Sequence, residues 1–294
     1  MPVRRDPVFL RRLVSALILG PLALALLWLG DLVFTAWVAA FAAAMAWEWT
    51  QMSDRGAPPV AYAIACSTAT GAVLLAGQTS LHDALFWGAA GTLAAGVERW
   101  RRGWSIDVLG VLYVALSAGL LAGLRAEPGI GLQSVILLFA IVWGADSLAY
   151  LAGTWIGGPK LIPQASPNKT WAGLLAGLAA GIAAGVAAGI LFGLDLPNVA
   201  ILAALVAIAA VLGDLAMSLF KRSFGVKDSG TLIPGHGGVL DRVDALMLAV
   251  IVFVLAQRFI PLGWPAPAHK CARRDRFGRP RHARPHRAGG AGRV

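Results

Sequence analysis

The sequence predicts an all-α fold: a polytopic integral membrane protein of about nine transmembrane helices. Three observations predict it. The chain is 58% hydrophobic and only 14% charged, against about 25% charged residues in a soluble domain, and its mean hydropathy is +0.71. Apolar runs of 15 to 24 residues recur along nearly the whole chain, and roughly 20 such residues cross a ~30 Å hydrocarbon core. The runs lack the alternation of barrel strands, and lipid offers an unpaired backbone group no partner, so each run reads as a helix.

In order, the spans lie near 13–30, 32–50, 60–77, 83–97, 107–124, 132–153, 171–193, 197–220 and 243–262. The first follows MPVRRDPVFLRR, whose basic residues read as the flank of a span rather than a cleaved leader, because another apolar run follows almost at once. The fourth, DALFWGAAGTLAAGV, is the weakest, being short and Gly-rich. The seventh carries glycine at 173, 177, 181, 185, 189 and 193, a spacing that lets helices approach closely and reads as packing. The chain divides into N-terminal helices over 1–130, a catalytic region over 131–264 with polar loops at 154–170 and 221–242, and a tail over 265–294. That tail holds nine of the 25 Lys/Arg among Pro, Gly and Ala, a composition that predicts a disordered, solvated tail, an RNA-binding or lipid-surface role being the lesser reading and no nucleic acid partner being expected. The only cysteines, Cys66 and Cys271, support neither a disulfide framework nor a zinc cluster.

Basic residues near span ends mark the cytoplasmic side. Arg4, Arg5, Arg11 and Arg12 place the start there, and Arg99, Arg101 and Arg102 agree. Two spans separate the polar loops, so both face one side, the cytoplasm; the same count puts the basic tail opposite, against the rule.

Charge in a bilayer costs about 2.5–3.5 kcal/mol per residue on insertion scales, so intramembrane ionisable groups face a cavity or a partner. The sixth span carries Asp146. In the eighth, Asp214, Ser218, Lys221 and Arg222 form one helical stripe. The ninth begins LDRVD, which puts Asp241 and Asp244 on one face. Four carboxylates from three helices thus point to one interface. The alternative, Asp–Lys/Arg pairing that only fixes helix packing, is weakened by the Gly-rich basic loops beside them.

The first loop, GTWIGGPKLIPQASPNKTW, offers Ser166, Asn168, Lys169 and Thr170 just before a helix, a setting that suits phosphate, although Thr170 also reads as a simple N-cap. The second, KDSGTLIPGHGG, sets Gly235, Gly237 and Gly238 around His236, with Lys227 and Arg222 as cations. Carboxylates beside phosphate-binding cations suit Mg²⁺ chemistry on a polyphosphate; His236 as a metal ligand is the lesser reading. The membrane setting makes a lipid the second substrate.

The stretch SLFKRSFGVKDSGTLIPGHGGVLDRVD, residues 218–244, resembles the signature of the phosphatidate cytidylyltransferases. It carries Ser218, Lys221, Arg222, Lys227, Asp228, Pro234, His236, Gly237, Gly238, Asp241, Arg242 and Asp244. DSLAYLAGTWIGGPKLIPQASPNKTWAG resembles the family's second block, and the likeness covers about 140–262. The resemblance implies CMP transfer from CTP to phosphatidic acid in a multi-pass inner (plasma) membrane protein, with Mg²⁺, alone or with a second cation, and a homodimer. It further implies Asp214 and Asp241 as first metal ligands with Asp146 and Asp244 close by. Lys221, Arg222, Asp228 and His236 join the catalytic set, and Ser166, Asn168, Lys169, Thr170, Ser218, Lys227, Gly237, Gly238 and Arg242 hold substrate phosphates. Ala172 departs from the family, which usually has Glu there, and motivates a binding-only or transport reading; a CTP-dependent polyprenol kinase is the other alternative. The tail is the second departure.

Overall fold

The computed structural model describes residues 20–100, 107–163, 166–232 and 237–264. Among them are nine helices: α1 (20–28), α2 (Asp31–Ser53), α3 (Pro59–Gln78), α4 (Leu81–Arg99), α5 (Asp107–Ala126), α6 (Gly131–Trp155), α7 (Trp171–Phe192), α8 (Leu196–Ser223) and α9 (Leu240–Ala256). Each expected span overlaps one of them, the first over 20–28 and the ninth only as far as Ala256. The basic tail, the start of the first span with Arg4, Arg5, Arg11 and Arg12, and Arg101, Arg102, Pro234, Gly235 and His236 lie outside the described residues.

Six helices, α2, α3, α5, α6, α7 and α8, are long and apolar enough to cross a membrane. α9 has 17 residues, and α4 carries His82, Asp83, Glu98 and Arg99 at its ends. Large apolar side chains face outward, among them Phe86, Val97 and Leu191 at 77%, 75% and 81% exposure. A water-soluble surface would not keep so many; lipid solvates them.

α7 shows why the bundle closes. It buries Gly173, Gly177, Gly181, Gly185, Ala188 and Gly189 and turns Leu175, Ile190 and Leu191 outward. With no hydrophobic drive between helices in lipid, close backbone approach supplies the attraction. A Cβ at Gly177 would stand 2.9 Å from the Ala145 carbonyl oxygen of α6, and one at Gly185 2.7 Å from the Ala203 Cβ of α8. α7 is therefore clamped between α6 and α8. The buried core continues through α2, α5 and α9 without a break.

The 154–170 loop contains a structure that its composition does not announce. β1 (Lys160–Ile162) and β2 (Ser166–Thr170) pair antiparallel, Lys160 opposite Thr170 and Ile162 opposite Ser166, with an irregularity between. The pairing satisfies backbone groups that Gly and Pro leave out of a helix. It also delivers Thr170 to the N-cap of α7, where its Oγ1 accepts the Gly173 N–H at 3.1 Å.

At one end of the bundle Arg125 pairs with Asp31 and donates to the Leu27 carbonyl; at the other Arg99 pairs with Asp54. The second end is the one that carries the polar loops.

Gly185→Leu is expected to lower stability by about 1–3 kcal/mol through overpacking, read as a lower thermal midpoint in detergent. Leu175→Ala, on the outward face, should leave the midpoint within about 0.5 kcal/mol of the parent.

Candidate active site

The α8–α9 connection is built around Asp241. α9 opens at Leu240, so Asp241 stands in its first turn and Asp244 one turn on. Asp241 Oδ1 accepts from Lys221 Nζ at 2.8 Å. Its Oδ2 accepts the backbone N–H groups of Ser229 at 2.9 Å and Gly238 at 3.1 Å. Lys221 Nζ also lies 3.8 Å from Asp244 Oδ2, and Asp244 Oδ1 accepts the Ala245 N–H at 2.9 Å. One ammonium thus bridges the two aspartates that the LDRVD spacing put on one face. α8 and α9 come this close because a Cβ at Gly213 would meet the Asp244 carbonyl oxygen at 2.9 Å.

The hairpin supplies a second pair. Lys169, on β2, forms an ion pair with Asp214 of α8, whose Oδ1 accepts from Ser218 Oγ at 3.4 Å. This contact ties the first polar loop to α8. Asp146 of α6 interacts electrostatically with Asp214 and Lys169, and Asp244 with Asp214, Lys221 and Lys169. Asp146 is exposed and has no hydrogen bond among the described residues.

Other expected residues sit at the rim. Arg222, Lys227, Asp228, Asn168 and Arg242 are exposed, Ser166 is half-buried and Thr170 is buried as a cap. Arg222 turns back to the Val226 carbonyl at 3.4 Å. Gly237, at φ +84°, takes the left-handed backbone that returns the chain to α9. Gly238 permits a close approach, and in this structure the groups approached are Ser229 and Glu48.

Glu48 is the residue the sequence did not reveal. It is fully buried on α2 and accepts from the Val239 N–H (2.9 Å), the Leu240 N–H (2.9 Å) and the Ser229 hydroxyl (3.2 Å). The only available signal was a lone acid inside an apolar span. Beside it, a polar cavity of about 350 Å³ is lined by Gln51, Arg55, Tyr62, Asp228 and Ser229 among others.

Among the described residues no three Asp, Glu, His or Cys side chains form a ready metal-binding group. Mg²⁺ is usually held by one or two carboxylates together with substrate phosphates and water. Asp146, with its open carboxylate, and Asp214 beside it are hard oxygen donors that fit this mode.

Comparison with known proteins assigns the chain. The family model described as "Cytidylyltransferase family" matches residues 10–260. The chain belongs to the cytidylyltransferase family. A phosphatidate cytidylyltransferase of Brucella abortus biovar 1 (strain 9-941) is 39% identical over 247 residues, 83% of this chain and 91% of the relative. One from Pseudomonas aeruginosa is 38% identical over 275 residues, covering 87% and 99%. One from Haemophilus influenzae is 35% identical over 278 residues, covering 83% and 96%. The family match therefore extends through the N-terminal helices, beyond the stretch of about 140–262 that carries the sequence resemblance.

The two site lysines differ in setting, and that difference is testable. The Lys221, Asp241 and Asp244 side chains are only 11%, 10% and 15% exposed, and removing one partner of a buried pair costs about 3–5 kcal/mol. Lys221→Met should therefore lower the unfolding midpoint in detergent strongly, with partial recovery on adding Asp241→Asn. Lys169 and Asp214 are more open, at 26% and 30%, so Lys169→Met should cost about 1 kcal/mol or less.

Proposed function

We propose that the chain transfers CMP from CTP to phosphatidic acid, giving CDP-diacylglycerol and pyrophosphate. The observation that carries this reading is family membership together with the meeting of Lys169–Asp214 and Lys221–Asp241/Asp244 at one end of the bundle. The relatives are named for that activity.

A phosphatidate oxygen attacks the α-phosphorus of CTP, the bond to the bridging oxygen of the β-phosphate breaks, and pyrophosphate leaves with that electron pair. No general base is required, because a phosphate monoester with a second pKa near 6 is already anionic at neutral pH. Lys169 and Lys221, held by aspartates in this structure, are the cations that turn to the phosphates, with Arg222, Lys227 and Arg242 at the rim. Ser166, Asn168, Ser218 and the Gly237–Gly238 backbone are the neutral phosphate contacts, and Asp228 and His236 stay with the catalytic set. Of the two expected first ligands, Asp241 already accepts from Lys221 and two amides, so Asp214 with Asp146, and Asp244 close by, would hold Mg²⁺, which would neutralise charge developing on the phosphoryl oxygens.

We place the protein in the plasma (inner) membrane with all nine helices crossing or entering the bilayer and the site on the cytoplasmic side. Arg99, at the site end through its pair with Asp54, supports that orientation by the positive-inside tendency.

Pyrophosphate release by the purified protein in detergent with CTP, phosphatidic acid and Mg²⁺ tests the reading. Release should require both substrates and fall by at least about 100-fold in Asp241→Asn. Release of CDP in place of pyrophosphate would indicate a lipid kinase, and CTP binding without either product would favour the binding-only reading that Ala172 motivates.

A further inference from the structure

We infer that Glu48, in the N-terminal half, is a positioning residue for the site: it fixes Ser229 and the start of α9, and through them Asp241 and Asp244, without touching substrate. The inference rests on the proposed transferase reading for its catalytic consequence and on geometry alone for the rest.

α9 has no cap of its own. Val239 occupies the N-cap position without a side-chain hydrogen bond, yet a helix start leaves its first N–H groups unpaired. Three successive amides there are satisfied by two carboxylates: Gly238 N–H by Asp241, Val239 and Leu240 N–H by Glu48. Glu48 works from α2, 191 and 192 residues away from the last two, and its charge also suits the positive end of the α9 dipole.

The same carboxylate accepts from the Ser229 hydroxyl, while the Ser229 N–H is given to Asp241. Ser229 is thereby held between the two acids. The neighbours leave no slack: a Cβ at Gly230 would stand 2.7 Å from Glu48 Oε1, and one at Gly238 2.5 Å from Oε2 and 2.1 Å from Ser229 Oγ. Trp49, the next residue on α2, packs edge-on against Phe220 and Phe224 at the end of α8. The N-terminal helices therefore hold both sides of the connection that carries Lys221 and Asp241.

A group that only stabilised the bundle would, when changed, lower the amount of folded enzyme and leave the folded fraction at full rate. A positioning group changes the rate of the folded fraction. Glu48→Gln keeps size but presents an NH₂ where an acceptor is needed; Glu48→Asp withdraws the carboxylate by one methylene; Ser229→Ala removes a single donor. Each is to be compared with the parent for thermal midpoint, kcat, KM for CTP, and hydrogen exchange at the amides of Ser229 and residues 238–241.

The expected result is a folded Glu48→Gln protein whose kcat is down about 10- to 100-fold with KM for CTP little changed, and faster exchange at Val239 and Leu240. Glu48→Asp should recover part of the rate and Ser229→Ala lose the least. An unchanged kcat per folded molecule, or unchanged exchange at Val239 and Leu240, would overturn the inference. Should Glu48→Gln and Glu48→Asp both fail to fold, Ser229→Ala decides, since a parental kcat in it also counts against the proposal. A parent that transfers no CMP refutes the proposed function, while the exchange comparison still judges Glu48.

Discussion

The constraint on which this structure turns is that a donor or charge at the edge of a bilayer must find its partner inside the protein, because lipid supplies none. The α8–α9 connection contains a run of backbone N–H groups and a buried ammonium at that edge. Asp241 takes the ammonium and two of the amides, and Glu48 takes the next two amides and a hydroxyl. Once those bonds are made, the first turn of α9 has one position and Asp244 has one direction. Lys169 of β2 and Asp214 of α8 meet at the same end.

Holding that arrangement requires helices that do not slide, and small residues provide it. Where α7 crosses α6 and α8, and where α8 crosses α9 at Gly213, the contact is backbone against backbone or methyl. Such contacts have little room for adjustment, so the stripe of glycines acts on the site at a distance: it fixes the spacing of α6 and α8, and with it the separation of Asp146 from Asp214. On α7 the large side chains, Leu175, Ile190 and Leu191, are left for the lipid face.

This division of labour explains what could be read in the sequence. Helix positions were legible because each apolar run is long and its ends are polar; the glycine stripe was legible because its period matches a helix face. The shared side of the two loops followed from counting spans, and the Asp241–Asp244 face from their spacing. The β1–β2 hairpin was not legible, because Gly-Pro punctuation gives a turn but no register, and its pairing has a break between Lys160 and Ile162. Glu48 was hidden for a different reason. Its hydrogen-bond partners lie 181 to 192 residues further along the chain, and no local pattern on α2 marks which of its faces meets them.

Charge balance adds a reason to expect a cation in the working complex. Among the candidate site residues, five aspartates (Asp146, Asp214, Asp228, Asp241 and Asp244) stand against five cations (Lys169, Lys221, Lys227, Arg222 and Arg242). A triphosphate and a phosphate monoester together bring several further negative charges to a place where water is scarce and screening is weak. The lysines cannot neutralise the phosphates without releasing their aspartates, and released aspartates would repel the substrates they face. A divalent ion held by the carboxylates would remove that conflict by supplying the missing positive charge. On the proposed reading, the Lys–Asp pairs seen here would exchange partners when substrate and Mg²⁺ bind, while Glu48 holds Ser229 and the first turn of α9 in place.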